Sequence, residues 1–447
     1  MPGRSDEPAA IDPMPPVAPP AAPGLMRLRA GRWLGSGPSL LRNATAYFAR
    51  MRDTLGDTYV VDAFGYRLFC VFSPLGVKSL YALPEKRASF GLATYTLFQH
   101  KIPAELFVGR RNAPHHLFAG EEVERYLGDL ERAMTYEIDE LGASGTFEAF
   151  AEMRRLGHRL GFASWAGTEA ASPAMLARLI APFDRLDASE SFVRPAHTLI
   201  TQATGKIRER RAMRAMESAI GEILDARERA SARRDDFLDL IWNSFADLEP
   251  ADRKVQAARD VIVLHMGSQS NLYAALAWTL VNLLLHPDYL RRVADGDETL
   301  LEQCASESIR MAQRSITLRQ VIKPIDIADE HRSYRISPGA FVTTMLSVNN
   351  CSAAPGLERF DPQHYDGRRL AHNVDVPCKE IVSTFGHGIH SCPAQRFAIS
   401  AIRVAISRLL DRYELEPQFT AAEPLAGQLG AVARAARPCR VRYRRRR

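Results

Sequence analysis

The sequence predicts one large, mainly helical domain with small β-sheets near its two ends. Its 447 residues are 46% hydrophobic and 25% charged, which is ordinary for a globular protein. A mostly helical pattern extends from residue 74 to residue 286, and short β-branched and aromatic runs lie before and after it. This composition excludes a collagen-like, coiled-coil or wholly disordered chain, and we find no internal repeat.

The first elements follow a segment that cannot build a core. Residues 1–24 are rich in Pro and Ala, so we expect a disordered lead-in there and a folded domain over 25–447. A helix is predicted over 39–54. Two β runs follow at 58–62 and 67–72, and the short turn between them predicts a hairpin.

The later elements alternate between helix and short strand. We expect a helix over 289–313, strands near 334–336 and 341–343, and a last amphipathic helix over 393–413. Together with the hairpin, these strands place a small β portion at each end of the domain.

One segment has the length of a membrane span. Residues 261–285 contain no Asp, Glu, Lys or Arg, which is enough chain to cross about 30 Å of hydrocarbon. A polar patch at 265–271 would be penalised by lipid. We therefore expect a long helix through the core of a soluble protein, polar where it meets a functional group.

The charge balance and the cysteines indicate which kinds of partner and which cellular compartment to expect. The formal charge is +6, and five of the last seven residues are arginine, so the rest of the chain is nearly neutral and no nucleic-acid partner is predicted. Six cysteines without a CxxC pair are typical of free thiols in a reducing compartment. No apolar signal segment begins the sequence, so we expect a cytoplasmic protein without a membrane anchor.

The densest chemical signal is the stretch around Cys392. Gly386 and Gly388 give the preceding backbone the freedom to loop closely around a flat group. Pro393 suits the first position of a helix, and a helix start would lower the pKa of the Cys392 thiol. A buried thiolate in such a loop fits an axial ligand of a haem iron. The alternative is a structural cysteine near a turn.

This stretch resembles a known family. Phe385, Gly388 and Cys392 have the spacing of the haem-binding loop of the cytochrome P-450 (haem-thiolate) superfamily. Ala394 stands where the family usually has glycine, and His390 stands where Arg or His often faces a haem propionate. The resemblance implies the cytochrome P-450 fold, haem b as the cofactor and Cys392 as the metal ligand.

A second motif lies upstream at the distance that the family requires. Glu307 and Arg310 match its ExxR pair and share one helical face. In the family a residue of a later loop completes this cluster, and His364 stands there in place of the usual Arg. Taken alone, a Glu–Arg pair at this spacing would more often be a solvated pair on a helix surface. Because Cys392 follows at the distance found in the family, we interpret the pair as the ExxR motif. The resemblance covers the chain from about residue 25 to its end.

Two arginines are candidates for binding the haem propionates. Arg319 follows a short β run and matches the family's strand arginine, whose bidentate contact needs Arg rather than Lys. Arg111 lies in a stretch, 107–111 on a predicted helix, that replaces the family's WxxxR. Its alternative is an ordinary surface arginine.

The helix predicted over 260–286 would cross over the haem. It keeps Gly267, but Gln269 replaces the acid of oxygen-activating members, and Ser270 and Asn271 replace the usual threonines. These four residues are our candidate catalytic residues. An amide cannot donate and accept protons as a carboxylate does, so proton delivery would use water, Ser270 and Asn271, or would not be needed. The alternative is a set of packed polar residues.

This pattern resembles one branch of the superfamily, which contains cholesterol 7α-hydroxylase, sterol 12α-hydroxylase and prostacyclin synthase. That branch includes monooxygenases and an isomerase that rearranges a peroxide. The expected pocket is mostly apolar and suits a lipophilic ligand, with ordinary core packing as the alternative for any one residue; its members are Phe90, Leu92, Tyr95, Leu97, Phe98, Ile316 and Leu429.

Two enzyme classes therefore remain open. The leading prediction is a monooxygenase that oxidises a hydrophobic small molecule (a sterol, a terpenoid or another secondary metabolite), using dioxygen and electrons from a ferredoxin and its reductase or from a flavoprotein. Lys379, Arg396 and Arg403 could attract that acidic partner, or could be ordinary solvated charges. The runner-up is an electron-independent lyase, isomerase or transferase acting on an O–O or N–O bond. A haem protein that only binds a ligand or senses gas is a third class.

Overall fold

The computed structural model describes most of the chain. It covers residues 34–112, 118, 128, 130–136, 140–187, 200–230 and 234–446. For Arg368 and His390 it describes the backbone but not the side chain. The expected lead-in at 1–24 and the first residues of the expected domain lie outside the described residues.

The described part is mainly helical, as expected. Numbered in chain order, its helices are α1 Gly37–Leu55, α2 Pro74–Ala82, α3 Phe90–Phe98, α4 Ala149–Ala166, α5 Pro173–Leu186, α6 Ile207–Arg229, α7 Phe237–Asn243, α8 Pro250–Leu285, α9 Pro287–Ala294, α10 Glu298–Ala312, α11 Leu346–Ser352 and α12 Gln395–Arg412. Short 3₁₀ turns occur at Ala104–Phe107, Thr168–Ala171, Pro362–Arg368, Leu370–His372 and Gly388–His390.

The described strands form small sheets. They are β1 Thr58–Ala63, β2 Tyr66–Val71, β3 Ala88–Ser89, β4 Ser144–Glu148, β5 Ile316–Val321, β6 Ile325–Ala328, β7 Ser333–Ile336, β8 Phe341–Met345, β9 Tyr413–Pro417 and β10 Arg440–Arg445. One sheet has the order β1-β2-β8-β5-β3, another has the order β4-β10-β9, and β6 pairs with β7. Only the β2–β8 pairing of the described strands is parallel.

The predicted hairpin is confirmed. β1 and β2 pair antiparallel, from Thr58 opposite Val71 to Ala63 opposite Tyr66. The turn residues Phe64 and Gly65 have φ of 52° and 80°, as a two-residue type I′ turn requires.

Two helix predictions were wrong in detail. The helix expected over 289–313 is divided into α9 and α10, because Gly296 has a φ of 99° and Asp297 then caps α10 by accepting from the backbone N–H of Leu300. The helix expected around 107–111 is only a 3₁₀ turn that ends at Phe107. Gly109, with a φ of 94°, follows it, and a helix cannot continue through that conformation.

The arginine-rich end of the chain is a strand with acidic partners. Arg442 and Arg444 of β10 form ion pairs with Glu416 and Glu414 of β9, at 2.6 and 2.5 Å. Two of the five arginines that stood out in the sequence are therefore paired with carboxylates along this sheet.

The core is centred on α8. This helix begins ten residues before the predicted start, at Pro250, and its second half is buried almost all round, as shown by Ala277, Trp278 and Leu280. α4, α10 and α12 pack against it, and their buried side chains share one hydrophobic cluster with it. Among the described helices, none has the length and apolarity that a membrane crossing needs.

Candidate active site

The loop around Cys392 folds back on itself. The backbone N–H of Cys392 donates to the carbonyl of Phe385 at 2.6 Å, and Ser391 Oγ donates to the carbonyl of Gly388 at 2.9 Å. Gly386 and Gly388 have φ of 78° and 62°, which only glycine adopts without strain. The sequence therefore needs both glycines to close this loop.

The expected lowering of the Cys392 pKa was wrong for the polypeptide alone. Burial raises the pKa of the thiol, and the backbone N–H of Ala394 only partly opposes this effect. Helix α12 begins at Gln395 rather than Pro393, with Ala394 as its N-cap, so only the first N–H of the helix start acts on the sulfur. A thiolate here requires a cationic partner, and a haem iron is such a partner.

The Glu307 cluster consists of Glu307, Arg310 and His364. Glu307 and Arg310 are fully buried and form a bidentate pair with N–O distances of 2.6 and 2.5 Å. His364 Nδ1 lies 3.0 Å from Glu307 Oε1, so histidine occupies the third position of the motif. Arg310 also donates to the carbonyls of Asn350 and Leu357 at 2.5 and 2.8 Å.

Asn350 connects the Glu307 cluster to the Cys392 loop. Its Nδ2 donates to the carbonyl of Arg310 at 3.1 Å and to that of Ser383 at 2.9 Å, and its Oδ1 accepts from the Ser383 backbone N–H at 2.8 Å. Ser383 Oγ in turn accepts from the backbone N–H of Gly386 at 3.0 Å. Sequence reasoning missed this residue; the available signal was the Asn349-Asn350 pair in α11, the short helix that follows β8.

Arg319 lies in β5 and is 1% exposed. Its Nη1 donates to the carbonyls of Leu80 and Leu83 at the end of α2, and its Nη2 lies 3.5 Å from Glu85 Oε2. Burial lowers the pKa of Arg319, and the nearby carboxylate opposes this effect.

Arg111 is directed toward α8 rather than toward the Cys392 loop. Its Nη2 donates to the carbonyls of Leu106 and Val108 at 2.8 and 3.0 Å, and its Nη1 donates to Gln256. Its Nε lies 3.7 Å from Asp260 Oδ1. These contacts describe an arginine that joins its own segment to the start of α8.

One side of α8 is exposed near its middle. Val263 is 37% exposed, Gly267 is also exposed, and a Cβ added to Gly267 would meet nothing within 4 Å. Ser270 and Asn271 share this side, because residues three and four apart on a helix lie on one face. Asn271 Oδ1 accepts from the Val432 backbone N–H at 3.0 Å, so its Nδ2 is the group left to donate.

Gln269 lies on the opposite side of α8. It is 2% exposed, and its Nε2 donates to the carbonyl of Arg154 in α4 at 3.2 Å. The structure therefore brings Gly267, Ser270 and Asn271 together and separates Gln269 from them. A turn of about 100° per residue explains this separation.

The residues predicted to line the apolar pocket differ in their exposure. Phe90, Leu92 and Tyr95 of α3 are about two-fifths exposed, which is unusual for large apolar side chains, while Ile316 and Leu429 are partly buried together. α3 is joined to β5 by a 2.8 Å hydrogen bond between Thr96 and Gln320.

The residues present fit a haem. A thiol stands in a glycine loop, a Cβ on Gly388 would meet nothing within 4 Å, and Gly267 offers the same open space on α8. Arg319 is a buried cation in the same part of the fold. The side chain of His390 lies outside what the structure describes.

Comparison with known proteins decides the family. Residues 179–441, more than half of the chain, match the cytochrome P450 family. The chain belongs to the cytochrome P450 family. This cytochrome P450 is a haem-dependent oxidoreductase of the monooxygenase class.

Its relatives include sterol enzymes. It is 22% identical to human 24-hydroxycholesterol 7-alpha-hydroxylase, over 93% of this chain and 92% of that protein. It is 29% identical to sterol 14alpha-demethylase of Mycolicibacterium vanbaalenii, over 38% of this chain and 40% of that protein. A rat 25-hydroxycholesterol 7-alpha-hydroxylase is 25% identical, over 34% of this chain and 45% of that protein. The predicted resemblance to the sterol-hydroxylase branch is confirmed.

Proposed function

We propose that this cytochrome P450 binds haem b through Cys392 and oxidises a sterol-like molecule, using dioxygen and electrons from a partner protein. The observation that carries the proposal is the hydrogen-bonded connection from Glu307 and Arg310 through Asn350 to the Cys392 loop. When bound, the haem supplies the reduction and activation of dioxygen.

On the cysteine side, each residue has a distinct role. Cys392 is the metal ligand, and Phe385 and Gly388 shape the loop that presents it. Arg319 is the main propionate partner, because it is a buried guanidinium whose planar fork matches a carboxylate in a bidentate contact. Arg111 is the weaker candidate, since its donors already have protein acceptors. His390 keeps its predicted role beside a propionate.

On the α8 side, Ser270 and Asn271 differ in what they can do with a proton. The Ser270 hydroxyl both donates and accepts, so it can pass a proton on. The Asn271 amide, whose Oδ1 accepts from the Val432 N–H, can orient an oxygen atom through its Nδ2 but does not pass a proton on. Gly267 leaves space beside them for a ligand.

A lipophilic substrate is supported by the exposed apolar side chains of α3, and a sterol by the names of the relatives. These names, hydroxylase and demethylase, do not favour the electron-independent alternative. A cytoplasmic location stays a prediction.

For the electron donor, a ferredoxin or a flavoprotein, the surface near the Cys392 loop is the proposed docking site. Ile389 is 63% exposed there, and Lys379 and Arg396 are exposed cations. Arg403 is a weaker candidate, because Glu298 and Glu302 already lie within 3.1 and 3.7 Å of it.

The test combines binding and turnover. Purified holoenzyme is titrated with cholesterol, 24-hydroxycholesterol and 25-hydroxycholesterol, and the haem spin shift is recorded. It is then incubated with a surrogate ferredoxin, its reductase and ¹⁸O₂. We expect a product that carries one ¹⁸O atom and forms only with both reductant and dioxygen. Product formed without either would overturn the monooxygenase proposal, and the absence of any spin shift would overturn the sterol assignment.

A further inference from the structure

One carboxylate occupies the start of α3. Glu85 Oε2 accepts from the backbone N–H of Phe90 at 3.1 Å, and Glu85 Oε1 accepts from the backbone N–H of Gly91 at 3.1 Å. Ser89 Oγ donates to Glu85 Oε1 at 2.6 Å and accepts from the backbone N–H of Leu92 at 2.9 Å. These two side chains therefore satisfy the first three N–H groups of α3, and the charge of Glu85 lies where a helix start favours an anion.

The same carboxylate lies beside Arg319. Glu85 Oε2 is 3.5 Å from Arg319 Nη2, and the Arg319 side chain is 1% exposed while that of Glu85 is 41% exposed. Burial lowers the pKa of Arg319, and the Glu85 charge opposes that effect. Glu85 thus contacts the start of α3 and also the guanidinium to which the proposed function gives a haem propionate.

A second contact attaches α3 to the same strand. Near the other end of α3, Thr96 Oγ1 donates to Gln320 Oε1 at 2.8 Å, and Gln320 directly follows Arg319 in β5. Ser89 of β3 also pairs opposite Gln320. Because both attachments lead to neighbouring residues of β5, the place of the exposed apolar side chains of α3 depends on this strand.

We propose that Glu85 is a positioning residue that holds the apolar side chains of α3 at a fixed place relative to Arg319, and so determines which bulky molecules fit beside the haem. The inference rests on the proposed function, which takes α3 as part of the substrate pocket and Arg319 as the propionate partner. The charge of Glu85 is needed as well as its shape. A neutral amide has only one acceptor oxygen for the two N–H groups and no charge to offer Arg319.

The test compares two iron-binding probes in ferric holoenzyme. Clotrimazole, an imidazole with three aryl rings, must fit its rings into the pocket, whereas imidazole alone needs only the space beside the iron. Glu85→Gln should weaken clotrimazole binding about tenfold, measured from the Soret shift, and leave imidazole binding unchanged. Glu148→Gln is the matched control. Its carboxylate accepts from the backbone N–H groups of Ala151 and Cys439 at 2.8 and 3.1 Å, in the sheet that does not contain Arg319.

The second readout is the reduction potential of the haem without any probe. Glu85→Gln removes a negative charge from beside Arg319, which disfavours the ferric state, so the potential should be more positive than in Glu148→Gln. Ser89→Ala removes a cap of α3 but keeps the carboxylate. It should therefore weaken clotrimazole binding several-fold and leave the potential unchanged, and it tests the α3 contact even if Glu85→Gln takes up no haem.

Equal weakening of clotrimazole and imidazole in Glu85→Gln, or a Ser89→Ala protein that binds clotrimazole as the wild type does, would overturn the role of Glu85 at α3. An unchanged potential in Glu85→Gln would overturn its link to Arg319. These readouts need neither a sterol nor dioxygen. If they behave as expected but no sterol shifts the spin state, the sterol assignment fails and the role of Glu85 stands. If the labelled product forms but the probes fail, the proposed function stands and the role of Glu85 fails.

Discussion

The side chain of Asn350 and the backbone of Ser383 exchange two hydrogen bonds, at 2.8 and 2.9 Å. An amide side chain that both donates to and accepts from one residue mimics a backbone pairing. Both groups are fully buried, so neither bond can be replaced by water without a cost. This contact makes the geometry of the Cys392 loop depend on the Glu307 cluster.

We expect Asn350→Ala to loosen the Cys392 loop. Removing a buried amide that makes several hydrogen bonds should cost about 2–3 kcal/mol of unfolding free energy and speed haem loss. Asn349→Ala is the control, because that neighbouring amide is also buried but donates to Thr344 at 3.4 Å. Haem transfer to apomyoglobin and urea unfolding measure the two effects. Equal haem loss rates in the two variants would contradict this account of Asn350.

His364 is expected to stabilise Glu307. His364→Ala removes one of the donors to the buried carboxylate and should cost about 1–2 kcal/mol, seen as a lower Tm. His364→Arg, which supplies a permanent charge and more donors, should recover most of that loss. A His364→Ala protein as stable as the wild type would show that Arg310 and the Asp361 backbone N–H satisfy Glu307 without the imidazole.

Arg319 is expected to retain haem. Lysine cannot reproduce a bidentate contact, so Arg319→Lys should raise the haem dissociation rate about tenfold. Arg314→Lys serves as the comparison, since Arg314 is also largely buried but donates to the carbonyls of Met311 and Gln313. The expectation fails if both variants release haem at the same rate.

Ser270 is expected to carry protons on the open side of α8. Ser270→Ala should lower product formed per dioxygen consumed at least about tenfold and increase peroxide release. Ser268→Ala, on the same helix, removes a hydroxyl that donates to the His265 carbonyl at 3.3 Å and should leave this ratio unchanged. Equal coupling in both variants would remove Ser270 from the proton path.

The local features of the fold were predictable from the sequence. The hairpin turn at Phe64 and Gly65, the spacing before Cys392, and the i, i+3 relation of Glu307 and Arg310 are all short-range patterns. Even the division of 289–313 had a visible cause in Gly296, and helical periodicity alone would have separated Gln269 from Gly267.

The long-range contacts were not predictable in this way. Nothing in a single sequence pairs His158 with His265, 107 positions later, or Asn350 with Ser383. Arg111 was assigned by motif position, but its partners on α8 depend on packing. The pKa of Cys392 was misjudged because burial depends on the assembled core.

The most direct test of the central claim is the visible spectrum of the reduced protein under carbon monoxide. With sulfur from Cys392 bound to the iron, the wild type and a Cys378→Ser control should share a red-shifted Soret band typical of thiolate ligation, and Cys392→Ser should lose that band. If Cys392→Ser keeps the same Soret position, or if the wild type binds no haem, this cysteine is not the axial ligand.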